Sequence, residues 1–184
     1  MSEVKWLDER EERAWRSLQL MQMRLNAQLA RDLAARSELS YQDYMVLVAL
    51  TAQPEGRMRL FELGHLLGWE KSRLSHQVTR MADRGLVEKI KCASDLRGAV
   101  VGVSAHGRGE ISAAAPGHLE AVRRLFIDLL AAEQLDTLAE VCEKVLAAVA
   151  EEELRTCSPC NELAAEPTGA TAGQCDEGGS ALAD

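Results

Sequence analysis

The sequence predicts a mainly α-helical fold that carries a small β-hairpin, and three observations predict it. Apolar residues recur at steps of three and four along several long segments, which is the periodicity of amphipathic helices. Gly68 and Gly85 end two of these segments. Directly after Gly85, apolar and polar residues alternate as they do in a half-buried strand. With 47% hydrophobic and 27% charged residues, the 184-residue chain is long and apolar enough to bury a core.

Two helices are predicted in the first part of the chain. The first covers residues 6–36, where apolar side chains keep helical spacing and no Gly or Pro interrupts the run. Ser40 and Asp43 then have the spacing of a capping box, in which each side chain accepts a hydrogen bond from the backbone N–H of the other residue. They predict the start of a second helix, which continues through Leu50 and ends at the Gln-Pro-Glu-Gly sequence of residues 53–56.

The central part of the chain predicts two short helices in succession. The first covers residues 58–67 and ends at Gly68, and the second covers residues 71–84 and ends at Gly85. The buried face of the second helix should consist of apolar residues spaced four and three apart, namely Leu74, Val78 and Met81. Its opposite face is small, polar and basic, and it consists of Ser72, Arg73, Ser75, His76, Gln77 and Arg80.

A β-hairpin follows, formed by residues 86–92 and 99–103, with Asp95 and Arg97 in the turn between the strands. The order of helix, tight stop, polar-faced helix and hairpin is typical of a winged helix-turn-helix. In that fold the first helix braces the second, which is slim enough to enter a DNA major groove about 12 Å wide. The hairpin would bring Arg97 to the adjacent minor groove, whose negative potential favours a guanidinium group.

The C-terminal part of the sequence predicts two further helical segments, followed by a tail without regular structure. Ser104 begins a helical stretch that Pro116 and Gly117 are expected to bend or interrupt. A last helix is predicted over residues 133–155, with its apolar side chains facing inward. Residues 156–184 contain five acidic residues, no basic residue and no aromatic residue. Such a composition cannot bury enough apolar surface to offset the entropy of ordering, so we expect a disordered acidic tail.

The distribution of charge favours nucleic-acid binding although the net charge of the chain is −8. Residues 57–108 contain 10 basic and 5 acidic residues, which gives this segment a net charge of +5. The rest of the chain has 11 basic and 24 acidic residues, which gives it −13. A basic centre within an acidic chain is the electrostatic pattern of a confined DNA-binding module.

The run from Arg57 to Val87 resembles the multiple antibiotic resistance regulator (MarR) family of transcriptional regulators. The family has an Asp two residues before an Arg in its wing, and Asp95 and Arg97 match this pattern. Its Leu-Thr-x-x-Gly sequence after the second strand corresponds here to Val-Ser-Ala-His-Gly at residues 103–107. The Gly-Trp-Glu-Lys-Ser-Arg-Leu-Ser-His-Gln sequence of residues 68–77 is similar to an actinobacterial branch of the family. The resemblance covers roughly residues 15 to 150.

The resemblance implies a homodimeric, sequence-specific regulator that binds double-stranded DNA, acts as a repressor on a palindromic operator and performs no catalysis. It assigns residues 38–104 to a DNA-binding lobe and residues 5–36 and 105–155 to dimerisation helices, within a domain of residues 1–155. The residues expected at the DNA are Lys71, Ser72, Arg73, Ser75, His76, Gln77, Arg80, Asp95 and Arg97. Asp95 is expected to hold the wing in place, whereas Arg97 is expected in the minor groove. The family usually has Ser, Thr or Asp at the start of the recognition helix, and Glu70 is a weaker cap there.

Several alternatives stay open at the level of sequence. Cys157 and Cys160 have metal-ligand or redox spacing, and Cys175 could join them, but the bland interpretation is an unstructured tail with incidental thiols. Four aromatic residues either line a pocket for a small-molecule effector of unknown identity or belong to the core and the dimer interface, namely Trp6, Trp15, Tyr41 and Tyr44.

The sequence argues against other classes of protein. It has no Gly-rich phosphate loop, nucleophile elbow or His-Glu-x-x-His motif, so we expect neither an enzyme nor a cofactor. A winged helix used only to bind another protein would be expected to have an apolar or acidic face from Ser72 to Arg80, and this face is neither. The first ten residues do not resemble a secretory signal and no segment predicts a membrane span, so we expect a cytoplasmic protein.

Overall fold

The computed structural model describes residues 4–91 and 99–156. Along the chain the elements are α1 (Glu9–Arg36), α2 (Tyr41–Thr51), β1 (Arg57–Arg59), α3 (Leu60–Leu67), α4 (Lys71–Asp83), β2 (Val87–Lys91), β3 (Ala99–Val103), α5 (Ala105–Leu125), a 3-10 turn (Ile127–Leu129) and α6 (Ala132–Thr156). The chain divides into two compact units between Leu130 and Ala131, and α6 with the residue before it is the described part of the second unit. The predicted helical fold with a small β-hairpin is confirmed.

Three helices begin at side-chain caps that satisfy free backbone N–H groups. Asp8 caps α1, and its carboxylate accepts from the Glu11 N–H at 2.8 Å. At α2 the Ser40 hydroxyl accepts from the Asp43 N–H at 3.1 Å, and the Asp43 carboxylate accepts from the Ser40 N–H at 2.9 Å. The predicted capping box is therefore confirmed. At α5 the Ser104 hydroxyl accepts from the Gly107 N–H at 2.9 Å. Each such cap contributes about 1 kcal/mol.

The sheet has three strands in the order β1-β3-β2, all antiparallel, so the hairpin prediction omitted one strand. Residues 58–67 were expected to be one helix, but Met58 belongs to β1 and pairs with Val101, and the helix begins only at Leu60. A strand of three residues is too short to show an alternating pattern. Its pairing partner lies about forty residues further along the chain, where local periodicity carries no information about it.

Helix α5 is continuous from Ala105 to Leu125, so the expectation that Pro116 would interrupt it was wrong. Proline removes one backbone hydrogen bond and crowds the carbonyl group four residues earlier, but contacts on both sides of it hold the helix in place. Ile111 before the proline and Ala121 after it are both buried. A Cβ built on Gly117 would lie 3.4 Å from the Arg36 side chain, an ordinary van der Waals distance, so α1 is in contact with α5 beside the proline.

The core of the first unit lies between α2, α3, α4 and the sheet, with α5 against it. The predicted buried face of α4 is confirmed, because Leu74, Val78 and Met81 are all almost inaccessible to solvent. Burial of each such side chain stabilises the fold by about 1.5–3 kcal/mol. Helix α4 is therefore held rigidly along one side, and its other side faces outward.

Helix α6 presents its apolar residues to solvent in the single chain. The inward positions predicted from its periodicity include Val141, Val145 and Val149, which are 53%, 57% and 47% exposed. Helix α1 likewise leaves apolar side chains exposed, among them Trp15 and Met23. Among the described residues, no helix combines the length and the apolar character needed to cross a membrane.

Candidate nucleic-acid interface

The turn between α3 and α4 depends on Gly68. This residue has φ of 62° and ψ of 33°, which is the left-handed conformation that glycine adopts without a steric penalty. The Trp69 N–H donates to the Gly64 carbonyl at 2.9 Å, which ends α3 and turns the chain. Helix α4 then begins at Lys71, and the Glu70 side chain makes no capping hydrogen bond, as its weak capping propensity predicts.

The outward side of α4 is polar and basic. Six of the predicted DNA-facing residues are exposed there, namely Lys71, Ser72, Arg73, Ser75, His76 and Arg80. A surface depression runs along this side, lined by Gln42 of α2 together with Arg73, His76, Gln77 and Arg80 of α4. None of these lining residues is acidic. The depression therefore offers guanidinium, imidazole and amide donors to an anionic or hydrogen-bond-accepting ligand.

Gln77 does not lie where the sequence analysis placed it. Its side chain is buried, with only 3% of the residue exposed, whereas it was expected on the exposed face of α4. The reason is helical phase, because Gln77 follows Leu74 by three residues and precedes Met81 by four. It therefore shares the core-facing side with them. Its amide donates to Asp43 Oδ1 at 2.6 Å, and its carbonyl oxygen accepts from Arg80 Nη2.

Asp43 and Arg84 take part in the site, although the sequence analysis did not identify them. Asp43 is 2% exposed, and its Oδ2 accepts from Arg84 Nη1 at 2.7 Å. Arg84 Nη2 also donates to the Glu38 carbonyl at 2.8 Å. The capping-box spacing was the one sequence signal at Asp43, and it pointed only to the start of α2. Arg84 was counted among the basic residues of the central segment, but its charge is neutralised by Asp43.

Arg73 is held by a different contact. Its guanidinium carbon lies 4.7 Å from the centre of the Trp69 ring, which is the geometry of a cation–π interaction. At an exposed site such a contact contributes about 0.5–1 kcal/mol. The interaction restricts the Arg73 side chain without neutralising its charge, so the guanidinium stays available to a further partner.

The β2–β3 hairpin is tied to α4 by a hydrogen bond from Lys89 Nζ to Thr79 Oγ1 at 2.8 Å. Its turn, residues 92–98, lies outside the described residues. The predicted roles of Asp95 and Arg97 fall in this segment and stay predictions.

The aromatic residues proposed as an effector pocket occupy two different environments. Trp6 and Trp15 are 84% and 54% exposed, whereas Tyr44 is buried and Tyr41 is half-buried. The Tyr44 ring lies 4.4 Å from the His118 ring, measured between centroids. Burial raises the pKa of Tyr41 and Tyr44 and lowers the pKa of His118. His118 thus joins the two tyrosines, and the two tryptophans are not part of the same cluster.

Metal binding has no support in the described part of the chain, where no group of three or more His, Cys, Asp or Glu residues could hold an ion. Cys157, Cys160 and Cys175 lie outside the described residues, as does the segment predicted to be a disordered tail, apart from Thr156 at the end of α6. Their metal or redox role stays an open alternative.

The fold is similar to that of solved transcriptional regulators. AbsC, a MarR family transcriptional regulator from Streptomyces coelicolor, is 37% identical with a TM-score of 0.75, and the match covers 80% of this chain and 99% of AbsC. Sco3205, a MarR family regulator from the same organism solved in complex with DNA, is 33% identical with a TM-score of 0.74, covering 78% of this chain and 94% of Sco3205.

A mutant MarR from E. coli complexed with operator DNA has a TM-score of 0.63 at 20% identity, covering 76% of this chain and 99% of that protein, which supports the fold alone. No protein-family model and no curated protein matches the sequence.

Proposed function

Since the chain belongs to the MarR family of transcriptional regulators, we propose that it is a homodimeric repressor that recognises a palindromic operator in double-stranded DNA. The observation that carries the proposal is the outward side of α4, where Arg73 and Arg80 line a depression together with His76 and two glutamines, without an acidic residue. Because the opposite side of α4 is packed into the core, this surface is presented as a rigid unit.

Helix α4 is the element that would enter the major groove, since a helix with its side chains is about as wide as the groove. Arg73 and Arg80 are the residues suited to read guanine, because a guanidinium can donate to O6 and N7 of the base together. Lys71 would bind phosphate, and Ser72, Ser75 and His76 would donate to bases or to the backbone. Arg97 would enter the minor groove, with Asp95 holding the wing.

Dimerisation is supported by apolar side chains that the single chain leaves in contact with water. Each of the two units exposes such residues, with Trp15, Leu18 and Met23 on α1 and with Val141 and Val145 on α6. Exposed apolar faces of this kind are typical of protein–protein interfaces. We assign residues 5–36 and 105–155 to the dimer interface and residues 38–104 to DNA binding. A two-fold axis would present two α4 helices to inverted half-sites about 10 bp apart.

Repression would follow from occupancy of the operator, because a bound dimer would exclude the transcription machinery from the same DNA. The function proposed for the chain is binding, with no reaction of its own.

The test is selection from a pool of random double-stranded DNA, followed by footprinting of the tightest duplex and in vitro transcription from a promoter that contains it. We expect an inverted repeat and a fall in transcript as protein is added. Enrichment of no sequence, or protection of a single asymmetric site, contradicts the proposal. A rise in transcript contradicts the repressor assignment alone.

A further inference from the structure

We propose that Asp43 on α2 is a positioning residue for DNA recognition, because it orients the Arg80 guanidinium on α4 through the side chain of Gln77. The inference rests on the proposed function, since it matters only if α4 contacts DNA. It adds a residue from outside the helix-turn-helix to those that determine sequence preference. It also assigns Gln77 the task of holding a DNA-contacting residue instead of contacting DNA itself.

The chemistry of the three groups allows only one arrangement of the chain of hydrogen bonds. A carboxylate can only accept hydrogen bonds and a guanidinium can only donate them. The Gln77 amide lies between the two, so its nitrogen must face Asp43 and its oxygen must face Arg80, as the structure shows. Glutamine has both a donor and an acceptor at the end of a side chain of this length. A carboxylate at residue 77 would face that of Asp43, and an apolar side chain would bind neither partner.

Asp43 is itself held in one position. Its two oxygens accept from the Ser40 N–H at 2.9 Å, from Gln77 at 2.6 Å and from Arg84 at 2.7 Å. Because Asp43 and Gln77 are 2% and 3% exposed, water has little access to the bond between them, whereas the Arg84 side chain is partly exposed. The amide of Gln77 is therefore fixed to Asp43 on α2, and it in turn orients the exposed Arg80 side chain.

The arrangement also keeps the charge of Arg80 available. Arg84 supplies the positive charge that compensates the Asp43 carboxylate, so Arg80 is not needed to neutralise it. Arg80 meets the neutral oxygen of Gln77 instead of a carboxylate. A direct ion pair with an acid would fix Arg80 equally well, but DNA would then have to displace that acid. Arg73 is oriented independently by Trp69, so a change at Gln77 should alter the contacts of Arg80 and spare those of Arg73.

The experiment is a double-mutant cycle on DNA binding, with Gln77→Met, Arg80→Ala and the combined variant. The probe is the tightest duplex that the wild-type protein selects from random DNA, together with all single-base changes in one half-site. We expect Arg80→Ala to weaken binding roughly tenfold or more. Gln77→Met should weaken it by about threefold to tenfold and relax preference at the same base pair. In the Arg80→Ala background, Gln77→Met should change affinity by less than about twofold.

Val78→Ala is the matched control, because Val78 is buried next to Gln77 on α4 and its apolar side chain can make no hydrogen bond with the polar chain of residues. It should lower the melting temperature and leave base preference unchanged. If Gln77→Met only loosens the helix, it will behave like Val78→Ala, and its effect will be the same with and without Arg80. Either result overturns the inference.

Asp43→Asn tests the first link of the chain while it preserves the size of the side chain. The amide has one acceptor oxygen in place of two, so either Gln77 or the pair Ser40 and Arg84 loses its acceptor. We expect relaxed preference at the base pair affected by Gln77→Met, whereas wild-type preference overturns the role of Asp43. If the wild-type protein selects no sequence at all, the proposed function fails and the inference with it. If it does select one and the effects of Gln77→Met and Arg80→Ala add, only the inference fails.

Discussion

Arg80 and Arg84 are both basic residues at the C-terminal end of α4, but the structure predicts different effects for their substitution. Arg84 is bonded to buried Asp43 and to the Glu38 carbonyl, whereas Arg80 is exposed and meets a neutral amide. We therefore expect Arg84→Ala to lower the stability of the fold with little change in DNA binding. Arg80→Ala should weaken DNA binding and leave stability close to that of the wild type.

The magnitudes follow from the burial of the partners. Without Arg84, the Asp43 carboxylate stays buried with two donors in place of three and without a compensating charge. Breaking a fully buried ion pair costs about 3–5 kcal/mol. The Arg84 side chain is 43% exposed, so water screens the pair, and we expect a loss of about 2 kcal/mol. For a chain of this size that lowers Tm by about 4–8 °C. Loss of a bidentate base contact by Arg80→Ala should cost about 1–3 kcal/mol per half-site.

The assay combines thermal unfolding with DNA titration. Both variants and the wild type are unfolded at equal protein concentration, because the stability of a dimer depends on concentration. Binding to the selected duplex is measured well below the lowest Tm. If Arg84→Ala weakens binding as much as Arg80→Ala while Tm stays unchanged, then Arg84 contacts DNA and the assignment of the two arginines is wrong.

Four further predictions concern charge, symmetry, readout and the C-terminal segment. Binding should weaken steeply with salt, by about 0.9 log units per log unit of salt for each phosphate neutralised, and a titration series that shows a flat response contradicts the electrostatic assignment. Sedimentation should show a dimer at micromolar concentration, and Val145→Glu should shift it toward monomer because it places a charge on an exposed apolar face of α6. An unchanged dimer would exclude that face from the interface. Arg73→Ala should relax the preference for guanine. Arg97→Ala should weaken binding with at most an A·T-dependent loss of preference, because the minor groove distinguishes base pairs poorly. If neither substitution changes binding to a panel of duplexes, DNA contacts another surface. Residues 157–184 carry a net charge of −5, and their removal should leave Tm unchanged and tighten non-specific binding slightly at low salt. A thiol switch would be shown instead if DNA affinity changed more than tenfold between reducing and oxidising conditions and if Cys157→Ser with Cys160→Ser abolished that change.

The sequence by itself determined the features that depend on neighbours in the chain. Helical spacing of apolar residues predicted α1, α4 and α6, and the capping box of Ser40 and Asp43 predicted where α2 begins. Gly68 and Gly85 ended their helices because both adopt positive φ, which other residues adopt only at a cost. The polar side of α4 could also be identified, since the phase of a helix follows from its apolar residues. Signals of this kind span three or four residues and need no knowledge of the rest of the fold.

Tertiary structure alone decided the contacts between residues far apart in the chain. Strand β1 forms because β3 offers it a partner, and α5 continues through Pro116 because packing on both sides offsets the lost hydrogen bond and the crowding at the proline. The phase of α4 places Gln77 on the core-facing side, but no local signal identifies the polar partners that it meets there. Its partner Asp43 lies 34 residues away, and Arg84 lies 41 residues from that same carboxylate. Hydrogen bonds between buried polar groups require both groups to arrive at one point, and only the folded chain brings them there.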